Sequence, residues 1–522
     1  MNNVNAFNTF FTERPRTNYH DLSHDIKTTF DMGRLVPTGL IDMIPGDSVN
    51  ITVENLLRFA PLISPIMHEV DICTWWFFVP NRILWPNFED FITGADTTLA
   101  PPTYDPSDNT QGGLGDYLGV PPDCPLAISA LPLAAYAKIW DEWFRDENLQ
   151  DEIFVECADG QGSHALVYAA LGEQPPKRVS WNHDYFTASL PFAQKGQPVS
   201  LPLVNDSSPL LVEYSGTPGA AQIRDASTGL PVTVAASLDQ DANSNMTNQT
   251  TGEVFLDPQG TLKVDINASA VTINDLREAF AKQRFLELDA IGGTRYNELI
   301  WAHFGIRTKD ARMQIPEFMG YVKGKMVISQ VNQTAPGFET SGGGSPTPLA
   351  TYAGQGLSAI SGSGFSYRAS EHGWAMGLIA VRPKASYPQG LSRKWFRQVR
   401  EDFFWPKFAH IGEQAVLNRE LYVEHTSPTG TFGYVPRYSE YRYEPSRVSG
   451  EMRTTQAHFH LARIFSTSPA LNSSFIECNP SARIFTTQYT DPPQPFASHQ
   501  IYAWIYNHVK MSRPIPRFGK PI

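Results

Sequence analysis

The chain has 522 residues, 41% of them hydrophobic, and a formal net charge of −12. That is enough apolar material for one large core or several, while the longest purely apolar runs are a handful of residues, far short of the roughly 18 or more of a membrane-spanning helix. Charged residues make up 18% and aromatics 12%, with 41 prolines; against about 25% charge in an average domain, this fits either broad surfaces buried against other chains or a large all-β monomer with long ordered loops.

The N-terminal "MNNVNAFNTFFTERPR" lacks a basic segment followed by an apolar stretch, so no secretory signal is expected. The first ordered segments read as strands: Ile26–Val36, then Asp47–Leu57, with "IPGD" as the turn between them. A third, Ile66–Pro80, contains "CTWWFFVPNR". Side chains alternate between the faces of a strand, so Trp75, Phe77 and Val79 point one way and Trp76, Phe78 and Pro80 the other. Both faces are apolar, and something must cover each. Three strands with no helix between them favour an antiparallel sheet over a βαβ pattern.

A helix is predicted over Leu131–Glu147, with Pro132 in its first turn and Leu133, Tyr136, Ala137, Trp140 and Phe144 on one face. A second is predicted over Asn274–Ala290, with Thr272 and Asp275 as a capping pair and Gly292–Gly293 ending it. Later strands are predicted at His372–Pro383, Thr455–Phe465 and His499–Met511. Strands near both ends, with helices between, suggest a barrel or sandwich carrying long insertions.

Two segments stand apart. Ser341–Gly364 is rich in glycine and serine and reads as a flexible loop; it lacks the Gly-Lys-Ser/Thr ending of a phosphate-binding loop. Asn205–Thr272 has two aromatics, Tyr214 and Phe255, in 68 residues, and eight acids against two bases, a net −6 that is half the charge of the whole chain. With strand-like pieces at Leu230–Leu238 and Thr261–Ile266, it reads as a small exposed β insertion or as an acidic disordered loop.

Catalytic signatures are sparse. There is no Gly-x-Ser-x-Gly elbow and no His-Glu-x-x-His. Cys73, Cys124, Cys157 and Cys478 form no Cys-x-x-Cys pair, which points to a reducing compartment rather than to disulfides or structural zinc. "DQDANSNMTNQT" starts like a calcium loop but has Ser244 and Thr250 where glycine and glutamate belong. His458 and His460 would share a strand face, as a structural pair or two ligands of a metal. Arg382–Phe408 mixes cations with Trp395, Phe396, Phe403, Phe404 and Trp405, a mixture used for single strands and equally for buried packing. The C-terminal Lys510, Arg513, Arg517 and Lys520 follow the last acid, Asp491, and form a basic tail on an acidic protein: a nucleic-acid contact or a strap over a neighbour.

Several long, ordered stretches together are similar to one family. "HDLSHDIKTTFDMGRLVP", "IPGDSV", "HDYFTASLPFAQKG", "LDAIGGTRYNELIWAHFGI", "DARMQIPEFMG", "QGLSRKWFRQVREDFFWPKFAHIGEQAVLNRELY", "FGYVPRYSEYRYEPSRVSGEMR" and "PALNSSFIECNP" resemble the major capsid protein of the Microviridae, in its gokushovirus branch. The resemblance runs from about residue 20 to 480, and Asn205–Thr272 falls where that family carries a variable insertion. It implies a mainly β fold: a single viral jelly-roll β-barrel with long loop insertions and a few helices. The core would be split between residues 1–204 and 273–522, around an exposed insertion, 205–272, that is a candidate threefold protrusion. It further implies a structural protein, without enzymatic activity or cofactor. Such a protein assembles in the host cytoplasm through pentamers into a T=1 icosahedral virion around circular single-stranded DNA. Its partners would be further copies of itself, the DNA, a small basic DNA-binding viral protein, a scaffolding protein and a host-surface receptor. The alternative is a monomeric jelly roll that binds or cleaves carbohydrate, whose paired carboxylates would meet only in space.

Overall fold

The computed structural model describes residues 16–197, 199, short strands between 212 and 264, and residues 273–332, 352–362, 364–485 and 499–516. The chain forms two compact units: Met1–Lys195 with Glu287–Ile522, and Gly196–Leu286.

The larger unit is built on two antiparallel sheets. Their strands are β1 (Asn18–Asp21), β2 (His24–Phe30), β3 (Val36–Met43), β4 (Ser48–Phe59), β5 (Val70–Pro80), β6 (Glu317–Lys325), β7 (Val327–Asn332), β8 (Tyr352–Ser361), β9 (Phe365–Arg368), β10 (Gly373–Pro383) and β11 (Ile501–Arg513). In the seven-stranded sheet, β1 and β2 pair with β11, β11 with β4, β4 with β8 and β9, and β8 with β7. The four-stranded sheet runs β6-β5-β10-β3. The C-terminal strand thus lies in the middle of a sheet, held between strands from the first 60 residues.

Alternation decides what each face does. Along β4 the residues Val49, Ile51, Val53 and Leu57 are buried and Ser48, Asn50, Leu56 and Arg58 are exposed, so one face of the larger sheet is open. The smaller sheet has no such open face along its middle strands. On β5, Ile72, Trp76 and Phe78 join a core with Ile51, Val53, Ile505 and Val509 of the opposite sheet, while Phe77 and Val79 join a second core on the other side. On β10, Ile379 belongs to the first core and Met376 and Leu378 to the second. The second core is made by the long connections. Helix α1 (Leu131–Trp143) contributes Leu133, Tyr136, Ala137 and Trp140, the face its periodicity predicted, and α2 (His164–Glu173) contributes Tyr168. Trp143 and Phe144 place rings 5.3 Å and 6.0 Å from Phe77, and Phe144 packs 5.1 Å from Trp75. The covering of the second face therefore comes from the chain's own insertions.

Trp76 fills a slot in the first core that only glycine leaves open. Gly39 and Gly377 pair across β3 and β10, and Gly377 pairs with Trp76. A Cβ at either glycine would stand 2.6 Å from the indole. Asn55 donates across the sheets to the Thr74 hydroxyl at 2.9 Å.

Four expectations change. The stretch Ile26–Val36 is two strands, because Gly33 turns the chain at φ +80°, where a Cβ would collide with the Cys478 carbonyl oxygen. The helix from Leu131 ends at Trp143 instead of Glu147: the buried Asp141 carboxylate accepts the Ile153 and Phe154 amides, folding the chain back. Residues 455–465 form no strand. The Arg483 guanidinium donates to the carbonyls of Ala457, His460 and Ala462 at 3.0, 2.8 and 2.9 Å, so a side chain takes the place of a partner strand. Within Ser341–Gly364, residues 352–361 are strand β8, whose order comes from pairing with β4 and β7 on either side; positions 341–351 lie outside the described residues. The second predicted helix is present as α3 (Ile273–Gly292), followed by α4 (Tyr296–Phe304).

In the smaller unit, Arg224–Asp225, Leu238–Gln240, Met246–Asn248 and Gly252–Phe255 form a four-stranded antiparallel sheet, and Val212–Tyr214 pairs with Leu262–Val264. Of the expected strand Leu230–Leu238 only Leu238 is among the described residues.

The Trp76 slot generates a stability prediction. Trp76→Ala should lower unfolding free energy by about 3–5 kcal/mol, and Gly377→Ala by about 1–3 kcal/mol through overpacking, both read from denaturant unfolding of purified subunits. Wild-type stability in either variant would show that the slot is not tight.

Candidate assembly and nucleic-acid surfaces

Among the described residues no group of three or more His, Cys, Asp or Glu side chains is placed to hold a metal ion. Asp239, in the calcium-loop-like stretch, is in a strand opposite Thr247. His458 and His460 are not on a strand; His460 is buried, donates from Nε2 to the Met452 carbonyl at 2.8 Å and accepts the Ala462 amide at Nδ1. Burial lowers its pKa, so it is a neutral structural histidine. All four cysteines are free thiols, and burial pushes Cys157 and Cys478 up to about 12, so neither is a nucleophile at neutral pH.

A cleft of about 600 Å³ is lined by Trp143, Arg145, Glu147, Trp181, Arg295 and Glu298, among others. Two of its carboxylates face an arginine: Arg295 lies 3.0 Å from Glu147 and 3.5 Å from Glu298. A third, Asp146, accepts the Asn148 amide. Burial and the neighbouring Glu287 push the Glu413 carboxyl up to about 7, but neither residue lines this cleft.

The two basic stretches fare differently. In 393–408 the chain makes three short 3-10 turns, Arg393–Trp395, Arg400–Asp402 and Pro406–Phe408. Its guanidinium groups lie over aromatic rings of this chain: Arg397 over Tyr441 at 4.4 Å, Arg400 over Trp405 at 4.6 Å, and Arg419 over Phe396 at 3.8 Å. Arg393 donates to the Ala415 carbonyl, and Lys394 pairs with Glu444. Arg393, Lys394, Arg397 and Arg400 are thus engaged within the chain, while Lys407 is exposed; among the outward side chains are large apolar ones, with Trp395 71% exposed, Ile411 58%, Val399 54% and Phe403 52%. Helix α4 and the turn after it add Tyr296, Trp301, Phe304 and Ile306 as a further exposed apolar set. Exposed apolar residues gathered in this way mark contact with another macromolecule, and a ring-rich, charge-poor surface has the composition of an interface core.

Of the four tail candidates, Arg513 has a structural partner. Its Nε lies 3.0 Å from the fully buried Asp47 carboxylate, and its Nη2 donates to the Asp42 carbonyl. Asp47 also accepts the Ile44 amide across the Pro45–Gly46 turn. Arg513 therefore ties the C-terminal strand to that turn. Lys510 is exposed on the outward face of β11 and forms no ion pair among the described residues. Arg517 and Lys520 lie outside the described residues. Sequence reasoning had no signal for the outward face of β11 beyond Lys510, because its alternation reads equally well as an ordinary half-buried strand.

The family described as Capsid protein (F protein) matches residues 8–522. The chain is similar to capsid protein VP1 of Bdellovibrio phage phiMH2K, 36% identical over 96% of this chain and 94% of that protein. It is 31% identical to capsid protein VP1 of Chlamydia phage 1, over 99% of this chain and 97% of that one. With capsid protein VP1 of Spiroplasma virus 4 it shares 32% identity over 89% and 88%.

The exposed aromatic surface should matter to assembly and not to folding. Trp395→Asp and Phe403→Asp should keep wild-type unfolding midpoints while losing sedimenting particles in gradients, since a buried interface ring is commonly worth 2 kcal/mol or more per contact. Normal particle yield from both variants would remove this surface from the assembly contacts.

Proposed function

The chain belongs to the capsid protein (F protein) family of the Microviridae and is a structural major capsid protein, and on that premise we propose that its larger unit is a single jelly roll that closes into a T=1 shell around circular single-stranded DNA. The observation that carries the fold reading is the strand order. Successive strands β2, β3 and β4 alternate between sheets, the two middle pairs are β11-β4 and β10-β5, and the connections after β5 and β10 hold the insertions. Within the larger sheet the order β2-β11-β4-β8 faces β3-β10-β5-β6 of the smaller one, and this winding supports the jelly-roll arrangement found in viral capsids. Self-assembly needs complementary patches closed by symmetry and no catalytic group, and the exposed rings of 395–411 and α4 supply patches.

We further propose that residues 205–272 form an exposed insertion that meets the host surface, since exposed loops commonly carry recognition. The core would then be divided between 1–204 and 273–522. What supports this is the acidity of the segment, its two aromatics, and the existence of a compact unit at Gly196–Leu286. Large aromatics dominate burial energy, so a segment this poor in them adds little to a core. Replacing 205–272 with a short Gly/Ser linker should give intact shells, seen by negative-stain microscopy, that no longer adsorb to host cells. Soluble subunits that fail to assemble would instead make the segment a lock between subunits, and insoluble subunits would make it part of the core.

The tail is proposed to face the packaged DNA. A chain of net −12 must segregate its charge to enclose a polyanion. Because Asp47 is buried and needs Arg513, the test leaves that arginine in place. Lys510, Arg517 and Lys520 replaced together by Gln should lower the DNA content of particles, measured as the ratio of absorbance at 260 and 280 nm. Unchanged DNA content would make the tail a strap.

A further inference from the structure

The open face of the seven-stranded sheet has an order that the jelly roll does not require. Along β11 the outward residues are Tyr502, Trp504, Tyr506, His508 and Lys510. Trp504 stacks on Tyr506 at 5.9 Å and 22°, and His508 meets Tyr506 edge-on at 4.3 Å. Across the sheet, Tyr502 is followed by Arg58 and Leu357, and Trp504 by Leu56 and Ala359. A shallow groove of about 440 Å³ runs here, lined by Lys27, Thr29, Leu56, Arg58, Tyr502 and Trp504. At the other end of the face, Lys510 stands beside Asn50 and Ser366, and Arg368 lies across Ser48 from Ser512.

The charges on this face divide into those with partners and those without. Asp25 pairs with Lys27 and accepts the Trp504 indole N–H at 3.0 Å. Glu54 pairs with His508 at 3.4 Å. Asp21, opposite Lys510, accepts from the Ser23 amide and hydroxyl. Arg58, Arg368 and Lys510 form no ion pair among the described residues. A chain that is acidic overall therefore carries here a row of half-exposed rings flanked by three unpaired cations.

We propose that this face is a stacking platform for single-stranded DNA, with Tyr502, Trp504 and Tyr506 receiving bases and Arg58, Arg368 and Lys510 receiving phosphates. The inference rests on the reading of the protein as the shell around such DNA. Trp504 and Tyr506 already stack on each other at 5.9 Å, closer than twice the ~3.4 Å rise of stacked bases, so bases would lie against the exposed side of this stack and not between its rings. Aromatic stacking with cations tracking the backbone is the general mode of single-strand binding. A duplex keeps its base faces inside the stack and offers them nothing. A basic peptide would seek carboxylates, and those on this face are already paired or hydrogen-bonded. An apolar patch of a second copy would bury three cations without partners, at several kcal/mol each.

The test is the affinity of purified full-length subunits for a fluorescein-labelled 20-mer of thymidylate, read by anisotropy over a salt series, alongside shell formation by microscopy. Trp504→Ala should weaken binding about tenfold or more, and Trp504→Phe, which keeps a stacking ring, should restore most of it. The double variant Arg58→Gln with Lys510→Gln should flatten the dependence of log affinity on log salt by about 1.4, the contribution of two single-strand phosphate contacts. Wild-type affinity in Trp504→Ala overturns the proposal. So does a Trp504→Ala subunit that binds the 20-mer normally but forms no shells, which would make the face a contact between proteins while the capsid reading stands. Wild-type subunits that bind the 20-mer yet never form shells would sink the capsid reading and leave the platform.

Discussion

The fold depends on burying both faces of β5 and β10. A strand with apolar residues on alternate positions needs one cover; a strand apolar at every position needs two. The opposite sheet supplies one, through Ile51, Val53, Ile505 and Val509. The other must come from elements outside the two sheets, and α1, α2 and the segments around Trp181 and Tyr387 supply it. The long connections after β5 and β10 are therefore half of the core architecture. The two sheets stripped of these connections would leave Phe77, Val79, Met376 and Leu378 in water, at about 1.5–3 kcal/mol for each large side chain.

Because the insertions are committed to that inner cover, their outer surfaces are free to do something else. The 395–411 segment has little regular secondary structure, so its backbone is held by side chains: Tyr438 accepts the Trp405 amide at its hydroxyl, and Asp402 accepts the amides of Gln398 and Val399. Cation–π contacts orient the rings and neutralise the cations' need for other partners. A surface stiffened in this way loses less entropy when a neighbour covers it.

Cations in this protein have three separate roles. Some hold loops in place, as Arg483 does with three carbonyls and Arg513 with Asp47. Some sit on aromatic rings, as Arg397, Arg400 and Arg419 do. A few, including Arg58, Arg368 and Lys510 on the open sheet face, have no ion-pair partner among the described residues. Composition counts all three classes alike, and only the last is available to an anionic partner.

The sequence by itself determined the strands with strong alternation, the helix from Leu131 with its buried face, the double-sided apolar character of Trp75–Pro80, and, through long motifs, the family. These are signals carried by neighbouring residues, where period and side-chain type are enough. Tertiary structure alone decided the rest. Residues 455–465 alternate like a strand, yet Arg483, distant in sequence, holds their carbonyls. Strand β8 has little strand propensity and is ordered by partners on both sides. The arginines of 393–408 look like phosphate ligands in one dimension and are ring-stacked in three. Arg513 reads as a tail cation and is the counter-ion of a buried carboxylate. In most of these cases the deciding partner lies tens to hundreds of residues away, and a local pattern carries no record of which distant group satisfies a charge or a backbone carbonyl.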